Sequence, residues 1–366
     1  MAKGQYLYLS AATVEAIASK GRADLLAGYM VLADHRQGRV SGYTTAGARA
    51  IGDRLGLGIS ERSEIVRELK AIPITHTSGA AVTAVMDTVE LNLKAGTEYP
   101  LKFGAKPTLG LPENKATSTA GNGYAWVPTT IVRGLNGAES QLKKIMALPR
   151  TERLPALMLM VRFFQHYRAS LGAFDPRYTV WEEPDESGKN YRVKYGDKVK
   201  KAGFINWVIP ASSTRTAYIS LIDEMGGNDI FWQALKNLCK FGIIRRALVV
   251  CDADPTKHGD AETLYTLYEK NLSSGTTEGI YNTTMAFCSD FNSYAFFGKV
   301  THKLGRKGTD SLVVVTDSLN AMPIWLYKPV HDVGTEETAA AKLKQESRQA
   351  AWQDRIKLAT RNSTPF

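Results

Sequence analysis

Three consecutive runs decide how the chain reads: Asp229–Gly242 (DIFWQALKNLCKFG), Ile243–Cys251 (IIRRALVVC) and Ala261–Tyr268 (AETLYTLY). In the first, Phe231, Ala234, Leu235, Leu238 and Cys239 recur at i, i+3, i+4, i+7 and i+8, which is one face of a helix. Asn228 suits the N-cap, Asp229 the positive helix start, and Gly242 the position just past the end. The other two runs are β-rich. Asp252–Asp260 (DADPTKHGD) lies between them as a polar turn with Pro and Gly, so a hairpin follows the helix. Off the apolar face lie Gln233, Lys236, Asn237 and Lys240, two amides and two cations paired at i, i+4. Amides pair bidentately with adenine edges, and lysine reaches guanine or phosphate. Any solvated helix face has a similar composition, so the rest of the chain must supply support.

At 366 residues there is room for two or three domains. A hydrophobic content of 44% with 22% charge places the chain among ordinary globular proteins rather than disordered or fibrous ones. No run of about 18 apolar residues occurs, and MAKGQYLYLS lacks a signal-peptide core, so a cytoplasmic protein of a bacterial or phage-infected cell is expected. Cys239, Cys251 and Cys288 form no CxxC pair, which favours reduced core thiols over disulfides or zinc. The net charge of +10 favours a polyanionic partner.

Working outward, Ser10–His35 is helical in pattern with a break at Gly21. Thr44–Leu55 is a helix begun by a Thr cap, with Ala48, Ile51 and Leu55 on one face. Gly56–Ile59 is a tight turn, Ser60 caps a helix over Glu61–Ile72, and Ile65, Val66, Leu69 and Ile72 point inward. Helix, glycine turn and capped helix make a helix-turn-helix. Pro73 stops it, and the β-rich Ile74–Leu93 supplies a wing. Lys94–Gly123 is loop or linker. Glu139–Leu148 is a short basic helix and Thr151–Ser170 a longer apolar one. Ser212–Met225 reads as a further helix, ending at Gly226-Gly227 before the opening stretch. A second helix-turn-helix with its wing therefore closes at Asn271. Ser311–Thr316 is a strand and Glu336–Thr360 an Ala/Lys/Gln-rich helix. The expected organisation is α+β: a winged-helix domain over 1–93, a connection over 94–123, a second winged-helix domain over 124–271, and a C-terminal extension over 272–366.

Of the two reading helices, the first carries Arg62, Ser63, Arg67 and Lys70 off its stripe, but Glu61, Glu64 and Glu68 cancel its charge. The second has only Asp229 against Lys236 and Lys240, and is preferred as the base reader. Phosphate contacts are expected from flanking elements: Arg49 and Arg54 beside the first turn, Arg245 and Arg246 at the second wing, Lys257 and His258 at its tip. The basic run Lys189–Lys201 (KNYRVKYGDKVKK) is another candidate, or a solvated strand pair. Phe287, Phe291, Tyr294, Phe296 and Phe297 suit either base stacking or a small core.

Catalytic signatures are missing: GxxxxGK[ST], HExxH, GxSxG and GxGxxG do not occur. Asp252, Asp254 and Asp260 with His258 resemble a carboxylate cluster of the two-metal kind, yet Asp-Ala-Asp-Pro is equally a good turn. No cofactor or metal is expected, and no enzyme.

In element order and capping, Gly42-Tyr43-Thr44-Thr45-Ala46-Gly47 through Ile72, then Leu154–Arg168, then Trp232–Asp254 resemble the tandem winged-helix DNA-binding proteins of plasmids and phages. The resemblance implies sequence-specific binding of double-stranded DNA at repeated or palindromic sites, in replication initiation or transcription regulation. The partners it implies are duplex DNA, replication or transcription machinery, and a second copy of the chain, for which Glu336–Thr360 is a plausible contact. The competing expectation is a phage or plasmid structural protein whose winged helices dock other proteins.

Overall fold

The computed structural model describes residues 6–35, 43–44, 46–74, 83–84, 87–89, 108–110, 124–135, 137–182, 191–194, 207–210, 216–218, 222, 225–269, 294–302, 309–315, 322–330, 343 and 347. In chain order come β1 (Tyr6–Ser10), α1 (Ala11–Ala18), α2 (Ala23–Asp34), β2 (Tyr43–Thr44), α3 (Ala48–Leu55) and α4 (Ile59–Ala71). Next are β3 (Pro73–Ile74), β4 (Thr83–Ala84), β5 (Asp87–Val89), β6 (Thr108–Gly110), β7 (Tyr124–Pro128), α5 (Thr129–Arg133), α6 (Gln141–Met146) and α7 (Arg150–Gln165). The chain continues through β8 (Tyr167–Arg168), β9 (Ala173–Phe174), β10 (Val180–Glu182), β11 (Tyr191–Lys194), β12 (Trp207–Pro210), β13 (Thr216–Tyr218) and α8 (Asn228–Lys240). It ends in β14 (Ile244–Cys251), β15 (Thr263–Glu269), β16 (Tyr294–His302), β17 (Thr309–Val315) and β18 (Met322–Pro329). Helices and small antiparallel sheets thus make an α+β protein.

Two compact units form. One comprises Met1–His166, Leu221–Ile243 and Val330–Gly334; the other Tyr167–Ser220, Ile244–Pro329 and Thr335–Phe366. The boundary between Ile243 and Ile244 divides the opening stretch, so α8 and the hairpin β14–β15 do not share a unit as the sequence led one to expect. The cause is pairing: α8 buries its apolar face on α7, whereas β14 bonds into a sheet of the other unit.

In the first unit, α2 is apolar all round and is enclosed, with Leu25, Leu26, Tyr29, Met30 and Leu32 fully buried. Helices α3, α4, α5, α6 and α7 surround it. Gly28 lets α4 approach: a Cβ there would lie 2.6 Å from Ile65 Cγ2. The ribbon β1–β7 alternates with period two. Leu7, Leu9, Ala125 and Val127 face inward, while Tyr6, Tyr8 and Trp126 cluster on the other side, Tyr8 and Trp126 with centroids 4.2 Å apart. The fully buried Asp34 carboxylate accepts from Arg133 Nε at 2.9 and 2.8 Å, tying α2 to α5. Helix α7 stops at Gln165, short of the expected Ser170, because Tyr167–Arg168 pairs with Ala173–Phe174.

The second unit holds a five-stranded antiparallel sheet, β13-β10-β18-β14-β15, and a four-stranded one, β11-β16-β17-β12. Strand β14 has neighbours on both edges, and Ala247–Cys251 is buried throughout, as expected of an interior strand. Leu171, Ala173, Ala247, Val249, Cys251, Ile324 and Leu326 form a core with Trp181 against it. Buried Arg168 donates to the carbonyls of His258 and Ala261 at 3.0 and 2.8 Å, fastening the β14–β15 turn. Within the helix expected over 212–225, Thr216–Tyr218 is instead a strand on β10: its β-branched and aromatic residues suit the sheet edge. Most of the 94–123 connection and of the Glu336–Thr360 helix, Cys288, Phe287, Phe291, and Lys189–Lys201 outside β11 lie outside the described residues.

Candidate nucleic-acid interface

The α3–turn–α4 segment has a mechanical reason for each bend. Thr44 is buried in β2 and its Oγ1 accepts from the Ala46 N–H at 3.2 Å, so the helix expected at Thr44 begins only at Ala48, after Gly47. Gly56 ends α3 in the left-handed conformation (φ 72°), and its N–H bonds back to the Gly52 carbonyl at 2.8 Å. The N-cap of α4 is Gly58 rather than Ser60: the Glu61 carboxylate reaches back to the Gly58 N–H at 2.9 Å, placing Ser60 inside the first turn. Ile65 and Leu69 are fully buried, each contributing about 1.5–3 kcal/mol that pins α4 to the core. Immediately beyond α4, Pro73–Ile74 pairs with Thr83–Ala84 as a hairpin.

The charge of α4 is partitioned by an arginine outside it. Arg22, preceding α2, bonds Glu64 at 2.9 Å, Glu68 at 2.6 Å and Asp24 at 2.5 Å. Its hydrogen bond and charge hold the Glu64 carboxyl below the usual range. Burial would push Asp24 up, but the Arg22 hydrogen bond and charge outweigh it and the carboxyl sits low. With Glu61 on the helix start, all three α4 acids are engaged within the unit. The exposed side of α4 shows Ile59, Ser60, Glu61, Ser63 and Arg67. Arg67 is exposed. Arg62 is half-buried, its Cδ filling the space a Cβ on Gly52 would need (2.6 Å), so it braces α3 against α4. Arg49 is 78% exposed, with Asp53 at 3.7 Å; Arg54 donates to the Arg133 carbonyl at 3.2 Å. The Lys143 chain of α6 lies beside the turn, 3.9 Å from where a Gly56 Cβ would be.

Helix α8 differs from expectation. It starts at Asn228 with Gly227 as N-cap, and Gly242 (φ 68°) follows its end as foreseen. Phe231, Ala234, Leu235 and Leu238 are buried on α7 as the spacing implied. Asn237, however, is only 4% exposed, and its amide donates to Glu152 Oε2 in the first turn of α7 at 2.8 Å. The Gln233 amide turns the same way, 3.4 Å from Glu152 and from Asn237 Oδ1. The carboxylate on the neighbouring helix draws the Asn237 amide inward and removes it from any outward surface, while Gln233 stays exposed. Lys236 and Lys240 remain exposed.

The expected second wing is likewise changed. Arg245 and Arg246 are half-buried in an interior strand, opposite Lys328 and Tyr327 of β18, and Arg246 lies 4.0 Å above the Trp325 ring. Lys257 at the turn is exposed but pairs with Asp254 at 3.1 Å. The Asp252 carboxylate accepts from the Glu262 N–H at 2.7 Å, and Asp254 accepts from Thr256, so these acids shape the turn. Among the described residues no group of three or more His, Cys, Asp or Glu is placed to hold a metal. No helix among them is long and apolar enough to cross a membrane.

Sequence reasoning overlooked Arg22, whose partners lie 42 and 46 residues away, and Gly28 and Gly52, which carry no pattern until helices cross. Ile59, expected within the glycine turn, instead opens α4, and its place off the apolar stripe is the sequence signal for its exposure. Compared with protein-family models, curated proteins and solved structures, the chain matches none.

Proposed function

We propose that the chain binds duplex DNA sequence-specifically through α3–turn–α4, with α4 in the major groove and the β3–β4 hairpin beside it as a wing. The observation that carries this reading is the Arg22 network: it offsets the charge of Glu64 and Glu68, whose side chains stay 40% and 33% exposed, on a helix that also exposes Ser60, Glu61, Ser63 and Arg67. The net charge of +10 and the position of Arg49, Arg54 and Lys143 around the turn supply phosphate contacts. Helix α8 does not serve as a second reader in this proposal, since Asn237 is buried on Glu152 and the Gln233 amide leans toward the same carboxylate. Replication initiation or regulation on a plasmid or phage genome is the role the resemblance implies, carried by one reading helix per chain.

A mobility-shift titration with random duplex at low and moderate salt tests it. The expected result is a shift that weakens steeply with salt and is reduced by Arg67→Ala. No shift at low salt would overturn the reading in favour of a protein-docking role.

A further inference from the structure

Among the described residues few large apolar side chains are exposed, and Ile59 is the most open at 74%. It is the first residue of α4, after Gly58, and nothing in the core asks for an isoleucine there. Four residues on, Ser63 is exposed and its Oγ donates to the Ile59 carbonyl at 2.9 Å. That bond commits the hydroxyl proton, so Ser63 faces outward as a hydrogen-bond acceptor only. Residues at i and i+4 on a helix have Cβ atoms about 5–6 Å apart. The first turn of α4 thus presents an apolar group and, one turn along, an acceptor.

The major-groove edge of a T·A pair offers the complement: the thymine C5-methyl and the adenine N6 amino donor, whereas G·C offers no methyl. We infer that Ile59 and Ser63 make α4 selective for a T·A pair, Ile59 covering the thymine methyl and Ser63 accepting from the adenine amino group. This rests on the duplex-binding reading above, because in that docking geometry the helix start meets the base edges.

The test uses the full chain and a duplex recovered by it from a random pool. Each thymine is replaced singly by deoxyuridine, which removes only the methyl, and each adenine by 2-aminopurine, which moves the amino group out of the major groove. The expected result is one position where deoxyuridine weakens binding about four-fold, the effect of one buried methyl. At its partner 2-aminopurine also weakens it. Ile59→Ala should bind the thymine and deoxyuridine duplexes equally, and Ser63→Ala should be indifferent to 2-aminopurine. Both side chains are exposed, so both variants should fold, which thermal melting verifies. If the pool yields a bound sequence but no thymine is methyl-sensitive, or Ile59→Ala keeps the sensitivity, the inference falls while duplex binding stands. If no duplex is bound at all, both fall.

Discussion

Replacing Arg22 by alanine should weaken DNA binding although Arg22 lies behind the proposed reading surface. The guanidinium serves three carboxylates, with side chains of Arg22, Glu64 and Glu68 29%, 40% and 33% exposed. Exposed ion pairs are individually weak and screened, so the stability term is assigned to the half-buried Arg22–Asp24 pair alone, about 0.5–1 kcal/mol. For a unit of this size that lowers Tm by about 1–4 °C. The larger effect is on affinity: Glu64 and Glu68 lose their partner and turn their charge toward the phosphates, which should cost about 3–10-fold at low salt and less at high salt. Fluorescence anisotropy well below Tm measures this. Adding Glu64→Gln and Glu68→Gln to Arg22→Ala should restore affinity without restoring Tm. Unchanged affinity in Arg22→Ala, or no recovery in the triple variant, would refute the partition argument. The pH dependence has a definite sign. Asp24 and Glu64 titrate below their ordinary values, so their stabilisation is present above about pH 4 and is lost as pH falls through the lowered folded-state values. Acid unfolding of Arg22→Ala should therefore begin at higher pH than that of the parent.

Asn237→Asp should destabilise the α7–α8 pair by about 1–3 kcal/mol, setting a carboxylate where Glu152 accepts an amide at 2.8 Å; chemical denaturation reads it, and DNA affinity should not move. Gly28→Val should cost about 1–3 kcal/mol or displace α4, since even a Cβ meets the stiff Ile65 Cγ2 at 2.6 Å, and urea midpoints measure it. Cys251 is fully buried, and burial pushes its thiol up to about 12, so peptide-resolved alkylation at pH 8 should modify it only after denaturation.

Sequence by itself determined the elements with strong periodicity. Phe231, Ala234, Leu235 and Leu238 fall on the buried side of α8, Ile65 and Leu69 on that of α4, and β14–β15 pair across the predicted turn, because apolar spacing and turn chemistry act within a few residues. It also located the α3–glycine–α4 bend. Tertiary structure alone decided which polar groups remain outside. Asn237 and Glu152 are 85 residues apart, as Arg22 and Glu68 are 46, and a helical wheel assigns both Asn237 and Glu68 to solvent. The same holds for the edges of strands: nothing local to Ile244–Cys251 announces that Met322–Pro329 will cover it and turn an expected wing into the middle of a sheet. Partners distant in the chain cost little once the core has fixed the helices and strands, and they, rather than local pattern, choose the surface that a ligand can meet.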